Sequence, residues 1–395
     1  MEPRRITSLV EGDLKKKMVL VAGPRQCGKT TMAESILKNW SGAYYTWDLD
    51  AHRKILRHSQ MDAASKLWVF DELHKFRNWR NWLKGQFDVH RSKHAFLVTG
   101  SARLDVYSRG GDSLQGRYFF YRLHPFTLSE LLKTKLPKTL EDMVQMSTDP
   151  GGRGQKTLAD LLALGGFPEP FFSGSEETAA RWRLGHGTRL IREEIRDLEN
   201  LRDLDRLELL YDRLPAVVGS VLSINSLKED LEVAFETARH WLEIFDRLYA
   251  SFRLPPLGAP RIKAVKKERK LYLWDWPRVE SEGARFENLV AFHLLRLVHW
   301  CEDVRGEKME LRYFRDTLGR EVDFVLVRKG KPWMAVEVKH REQSLDPNLK
   351  YLLERVAIPY AFQISLHGSN DWRPADICGC QIRILPAARF LANLP

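Results

Sequence analysis

Met18-Val-Leu-Val-Ala22 is an unbroken apolar run that ends at Gly23. A run this short, without alternation, predicts a strand buried on both faces. The segment "TTMAESILKNW" behind it spaces its apolar residues as a helix does. "KLWVFDE" (66–72) and "HAFLVTGS" (94–101) are two more buried-strand candidates, with helix-like segments between them. Short apolar strands alternating with helices predict a parallel sheet covered on both faces. From about 156 to 255 the pattern turns helical, with charged faces on "AARWRLGHGTRLIREEIRDLENL" and "DRLELLYDRLPAVVGSVL". Within it, "SINSLKEDLEVAFETARHWLEIFDRLYASFRLPPLG" reads as a short helix, a turn, a second helix and a strand. That is the order of a winged helix-turn-helix, although a plain helical bundle contains the same helix pair. Further on, "KLYLWD" is strand-like and "GARFENLVAFHLLRLVHW" predicts an amphipathic helix. "LRYFRD", "EVDFVLVRKGK" and "PWMAVEVKH" are three strands at hairpin spacing. The Gly-rich "TDPGGRGQ" (148–155) reads as a loop or linker and the Pro-rich "LPPLGAPRIKAVKKERK" as a boundary. The resulting expectation is an α/β chain of three parts, 1–148, 149–258 and 259–395, without internal repeats.

Composition adds a direction. Hydrophobic residues make up 44% and charged residues 29% of the 395, as in an ordinary globular protein. A net charge of +11 favours an anionic partner, most often nucleic acid. Six of the ten residues 261–270 are cationic, which suits either a solvated linker or a phosphate-tracking strip. Four cysteines are too few for a disulfide framework, and Cys378 and Cys380 lack a second Cys/His pair at zinc spacing. No apolar run approaches the roughly 18–20 residues that span a bilayer, and no signal-peptide pattern opens the chain. A reducing cytoplasm is the expected location.

The chemistry starts where the first strand ends. Gly23-Pro24-Arg25-Gln26-Cys27-Gly28-Lys29-Thr30, followed by Thr31, fits GxxxxGK[ST] between a strand and a helix. The glycines let successive backbone N–H groups face a phosphate; Lys29 reaches the terminal phosphates and the Thr30 hydroxyl takes a magnesium position. Asp71 and Glu72 end the next apolar strand. There Asp71 is suited to hold magnesium through water, and Glu72 to orient or deprotonate the attacking water. Ser101, at the end of "FLVTGS", is a candidate polar sensor of the γ-phosphate, with an ordinary helix-capping serine as the alternative. Phosphoryl transfer also needs a cation on the departing phosphate, often a neighbour's arginine. Arg103, Arg109 and Arg117 are the candidates, with Arg117 preferred for its position between a glycine and an aromatic strand.

At these residues the chain resembles a family. "GPRQCGKTT", "LWVFDELHKFRNWRNWLKGQFD", "FLVTGSARLDV" and "LQGRYFFYRLHPFTLSEL" are similar to prokaryotic AAA+-type P-loop ATPases that pair this core with a C-terminal helical and nuclease-like region. "LGGFPEPFF" and "RLIREEIRDL" resemble the start of that region. The resemblance implies an ATPase using ATP and Mg2+.

A second constellation lies near the C-terminus. Asp323 in "EVDFVL" is followed fourteen residues later by Glu337-Val338-Lys339, and "ARFENL" carries Glu287 on an upstream helix. Strand alternation sends Glu337 and Lys339 to the same face. Two carboxylates suit a hard divalent cation, and a neighbouring lysine can position water for attack on a phosphodiester. This arrangement resembles the PD-(D/E)xK nuclease fold, with Glu287, Asp323 and Glu337 as metal ligands beside Lys339. Val322 stands where that motif has proline. Domains of this type also serve for binding alone. The combined expectation is Mg-dependent ATP hydrolysis driving a DNA-associated motor or remodelling activity in a homo-oligomer, a ring being one arrangement. An ATP-gated nuclease and a nucleotide-dependent switch are the alternatives.

Overall fold

A computed structural model describes residues 4–101, 104, 114–195, 203–258 and 269–395. The chain forms two compact units, Met1–Pro125 with Arg247–Tyr249, and Phe126–Asp246 with Ala250–Pro395. Segments 149–258 and 259–395 therefore share a unit for nearly all of their length.

The first unit is built on five strands: β1 Met18–Ala22, β2 Gly42–Thr46, β3 Leu67–Asp71, β4 Ala95–Gly100 and β5 Tyr118–Arg122. They run parallel in the order β2-β3-β4-β1-β5. β1 and β3 are buried at every position, as their unbroken apolar runs require. Alternate residues Met18, Leu20, Trp68, Phe70, Phe96 and Val98 pack with Leu83 and Phe87 of the helix Trp79–His90 into one core. β4 separates β1 from β3, and the register pairs Ala22 with Gly100 and Thr99 with Asp71. All strand ends that carry candidate chemistry consequently meet on one edge of the sheet.

The second unit opens with helices, including Gly151–Leu164, Glu176–Arg189 and Leu204–Arg213. The helix pair Ile224–Asp230 and Phe235–Arg247 follows, then the antiparallel hairpin of β6 Ser251–Leu254 and β7 Lys270–Leu273. Helix Glu282–Arg305 leads into a mixed sheet of β8 Met309–Arg315, β9 Glu321–Arg328, β10 Lys331–Arg341, β11 Tyr360–His367 and β12 Gln381–Pro386, in sequential order. β8, β9 and β10 are antiparallel; β10, β11 and β12 are parallel, with helix Pro347–Leu353 in the first crossover. Each edge of this sheet is met at one position by a neighbouring segment. Leu257 donates to Tyr313 O (2.6 Å) and Tyr313 to Pro255 O (3.2 Å) beside β8, while Trp372 and Ile384 exchange backbone bonds of 3.0 and 2.9 Å beside β12.

Three expectations change. The stretch 148–155 is no linker, because a helix begins at Gly151, where Asp149 Oδ1 accepts the Gly151 N–H at 3.0 Å. Gly154 lies so close to Pro150 that an added Cβ would stand 2.4 Å from its ring, so the glycine is what lets the first turn close. The described part of the Pro-rich boundary is bound to β8 rather than free; residues 259–268 lie outside the described residues. Helix Glu282–Arg305 is not amphipathic, since Phe286, Asn288, Leu289, Phe292, His293 and Arg296 bury it on several sides. It packs on β8 and β10 and also against helix Gly151–Leu164.

Its inner polar groups are satisfied. Asn288 donates to Leu273 O (2.7 Å) and accepts from Leu273 N (2.9 Å). His293 Nε2 accepts the Leu128 N–H at 3.0 Å, so the proton sits on Nδ1 and is donated to Leu289 O at 2.8 Å. Burial pushes the His293 imidazolium down to about 4 from the ordinary 6.5. The unfolded chain then binds a proton that the folded one refuses between those values. This histidine's contribution to stability is complete above pH 6.5 and falls by roughly 3 kcal/mol as pH drops to 4. An NMR titration is expected to find His293 neutral, as the Nδ1–H tautomer, throughout pH 5–7. Among the described residues no helix is long and apolar enough to cross a membrane.

Candidate nucleotide site and carboxylate cluster

The loop after β1 curls as its sequence demands. Gln26 (φ 61°) and Gly28 (φ 97°) adopt left-handed backbone, and helix Lys29–Asn39 starts directly behind them. Gly23 faces β5 so closely that a Cβ would lie 2.3 Å from Leu123 O. Lys29 is buried, and its ammonium donates to Gly23 O (2.9 Å) and Pro24 O (2.7 Å). The loop is gripped from outside by Arg4, whose guanidinium donates to Cys27 O (2.7 Å) and to His124 O. Pro24, Arg25 and Thr31 belong to the same turn and helix start, and Cys27 is a buried free thiol.

Across β4 from the loop lies Asp71. It accepts from the Thr30 hydroxyl at 3.0 Å on Oδ2, from Thr99 Oγ1 at 2.5 Å on Oδ1, and from the Tyr44 hydroxyl on Oδ2. Burial, with the Asp71 carboxylate next, holds the Tyr44 phenol well above its usual range and so keeps it a donor. Thr30 and Asp71 are thus adjacent hard-oxygen donors, the set that magnesium prefers, so these residues fit the ion expected with a nucleotide.

Glu72 follows on left-handed backbone (φ 54°), an uncommon state for a side-chain-bearing residue, and its N–H is held by Thr99 O at 3.0 Å. Its carboxylate lies 3.4 Å from Lys75 Nζ and 3.6 Å from His74 Nε2. Burial raises the Glu72 carboxyl above the usual range, against the opposing pull of Lys29 and Lys75. Ser101 Oγ stands 3.3 Å from His74 Nε2, which connects it to the same group. Gly100 makes room for this histidine: a Cβ there would be 2.7 Å from His74 Nδ1.

Gly23, Gly28, Lys29, Thr30, Asp71, Glu72 and Ser101 therefore converge. Arg117 does not join them, because it precedes β5 at the opposite edge of the sheet and forms a two-bond ion pair with Asp88 (2.8 and 3.0 Å). Arg103 and Arg109 lie outside the described residues. Arg4, Tyr44, His74 and Thr99 escaped the sequence reading. Thr99 alone had a signal, since it occupies the last residue before Gly100 in a strand parallel to the one ending at Asp71.

In the second unit Glu287, Asp323, Glu337 and Lys339 are also gathered. Asp323 N–H donates to Glu337 Oε2 (3.3 Å), Val338 N–H to Asp323 Oδ2 (2.9 Å), and Lys339 Nζ to Glu337 Oε1 and Asp346 Oδ2 (both 2.7 Å). Burial raises the Asp323 carboxyl far above its usual range, reinforced by Glu337, and pushes Glu337 up to about 7 against the pull of Lys339. Lys270, Tyr272, Glu321 and Asp346 complete the cluster unannounced by sequence. Among the described residues, the three metal-ligating groups within 4.8 Å of one another are the exposed Glu282, His340 and His367, not the expected carboxylates.

This geometry defines a class: the first unit is an AAA-type ATPase-like domain, a fold that implies nucleotide binding, typically with magnesium. Residues 15–132 match the family described as an AAA domain. Residues 155–276 and 282–382 match two domains of unknown function (DUF8612 and DUF4143). Two uncharacterized proteins, from Mycobacterium bovis and Mycobacterium tuberculosis, are each 24% identical over 335 residues, covering 80% of this chain and 69% of theirs. Among solved structures, RuvB of Thermotoga maritima aligns over 63% of this chain and 87% of its own at 17% identity, with a TM-score of 0.27. The Hef helicase domain of Pyrococcus furiosus aligns over 62% and 68% at 12% identity, with a TM-score of 0.21.

Proposed function

We propose that the chain is a magnesium-dependent ATP hydrolase that works on DNA as a homo-oligomer. Its second unit, on this reading, carries a winged-helix-like region and a PD-(D/E)xK nuclease-like fold used in contacting DNA. The observation that carries the hydrolytic part is the convergence of Lys29, Thr30, Asp71 and Glu72 at one sheet edge, with Thr30 and Asp71 already joined at 3.0 Å. When bound with magnesium, ATP supplies the phosphoryl group to be transferred. Lys29 would exchange the loop carbonyls for phosphate oxygens, Thr30 and Asp71 would hold the metal, and Glu72 would take the proton of the attacking water. Ser101, next to His74, would orient that water.

The DNA part rests on a pI near 9.4 and net charge of +11. A helix pair followed by the β6–β7 hairpin supports the winged reading, and a helix leading into β8–β9–β10, a crossover helix and β11 supports the nuclease-like one. Measuring ATP turnover without DNA and with single-stranded, duplex and four-way-junction DNA tests it. Stimulation of several-fold by at least one DNA is expected. Turnover that no DNA alters, in a protein that stays monomeric with nucleotide, would instead identify a nucleotide-dependent switch.

A further inference from the structure

The carboxylates expected to hold a metal in the second unit already surround a cation. Lys270, on β7, brings Nζ to 3.3 Å from Glu287 Oε1, 2.5 Å from Glu321 Oε1 and 3.8 Å from Asp323 Oδ1. Its side chain is 2% exposed, and the ammonium lies 5.6 Å from the centre of the Tyr313 ring. Glu287, whose side chain is 19% exposed, is also approached from other sides. The Tyr272 hydroxyl donates to the same Oε1 at 2.7 Å, and Gly219, with φ +74°, presses so near that a Cβ would stand 3.1 Å from Oε2. Asp323 spends Oδ2 on Val338 N–H, and Glu337 spends both oxygens on Lys339 and Asp323 N–H.

A hard divalent ion needs several carboxylate or water oxygens at about 2.0–2.6 Å. Here the oxygens face an ammonium at hydrogen-bonding distance, and a second cation beside it would meet strong repulsion in a buried setting. The residues do not fit a metal while Lys270 is in place. The backbone holds it there: Lys270 lies in β7, bridged to Val221 on one side and paired with Leu254 of β6 on the other.

We propose that Lys270 is a built-in counter-cation that closes the Glu287–Asp323 cluster to divalent metal, so that the second unit engages DNA without metal-dependent cutting. The inference rests on the nuclease-like reading only for expecting a metal at these positions. Removing the ammonium would leave Glu287, Glu321 and Asp323 facing one another, a state that a divalent ion relieves.

The test uses the full chain without nucleotide. Thermal unfolding is followed with and without Mn2+, and bound Mn2+ is counted by electron paramagnetic resonance. Lys270→Met is expected to melt lower than the parent in chelator and to regain roughly 5 °C in excess Mn2+, binding one ion that is lost on adding Asp323→Asn. Any Mn2+-induced shift of the parent's midpoint should be the same in its Asp323→Asn variant. A folded Lys270→Met that gains no Mn2+ overturns the proposal. Should that variant fail to fold, the parent decides: Mn2+ binding that Asp323→Asn abolishes overturns it, and binding absent or untouched by Asp323→Asn sustains it. Mn2+-dependent DNA cutting by the parent that Lys339→Ala abolishes overturns it too. ATP turnover, measured separately on the same variants with Mg2+ and ATP added, keeps the two readings apart, since its absence would sink the hydrolase assignment and leave the lysine's role standing.

Discussion

Glu72→Gln is expected to retain nucleotide affinity within a few-fold and to lower ATP turnover by about 10²–10⁴-fold. Glutamine matches the shape of glutamate, so the left-handed turn at φ 54° and the backbone bond to Thr99 O persist. What disappears is the capacity to accept a proton. Burial makes the native carboxylate more basic than an exposed one, and Lys29 and Lys75 keep that rise in bounds. The group is therefore biased toward proton acceptance while ionised, and parent turnover should fall on the acid side as it protonates. Turnover and nucleotide binding measured together are the check. Unchanged turnover would remove Glu72 from its role and direct attention to His74, whose Nε2 lies between Glu72 and Ser101.

Trp276→Ala is expected to destabilise the second unit by about 3–5 kcal/mol, the range for emptying a buried aromatic site. Trp276 is fully buried, donates Nε1–H to Leu161 O at 2.8 Å and lies with its ring centre 5.0 Å from that of Phe292. Leu161 belongs to a helix at the start of the unit and Phe292 to its central helix, so one side chain joins segments far apart in sequence. Urea unfolding followed by circular dichroism should display an earlier second-unit transition, with nucleotide binding by the first unit preserved. A midpoint equal to the parent's would mean that the surrounding side chains close the gap.

The first unit was legible because its strands are unbroken apolar runs and its chemistry sits at their ends. Once β1 and β3 were read as parallel and buried, Lys29, Thr30, Asp71 and Glu72 had to share an edge. Tyr44, Thr99 and His74 were not legible, because their roles depend on register across strands and on a turn at Glu72 that nothing local announces. In the second unit, alternation sufficed to join Glu337 to Lys339, and strand pairing brought in Asp323. Helix Glu282–Arg305 misled because its charged and polar residues are interspersed with apolar ones as on a half-exposed helix, whereas strands β7, β8 and β10 and helix Gly151–Leu164 pack around it. Lys270 reads in sequence as the last residue of a cationic run; burial among three carboxylates is a property of the hairpin's position. Arg117 is expected to serve a neighbouring subunit's phosphate, and its place before β5, paired with Asp88, puts it away from the phosphate loop of its own chain without bearing on that role.

Pro255–Leu257 and Trp372 occupy the two margins of the mixed sheet and take up backbone groups of β8 and β12 there. At those positions the edge backbone is already engaged, which makes the sheet harder to lengthen by a strand from another molecule, whether a partner peptide or an aggregating copy.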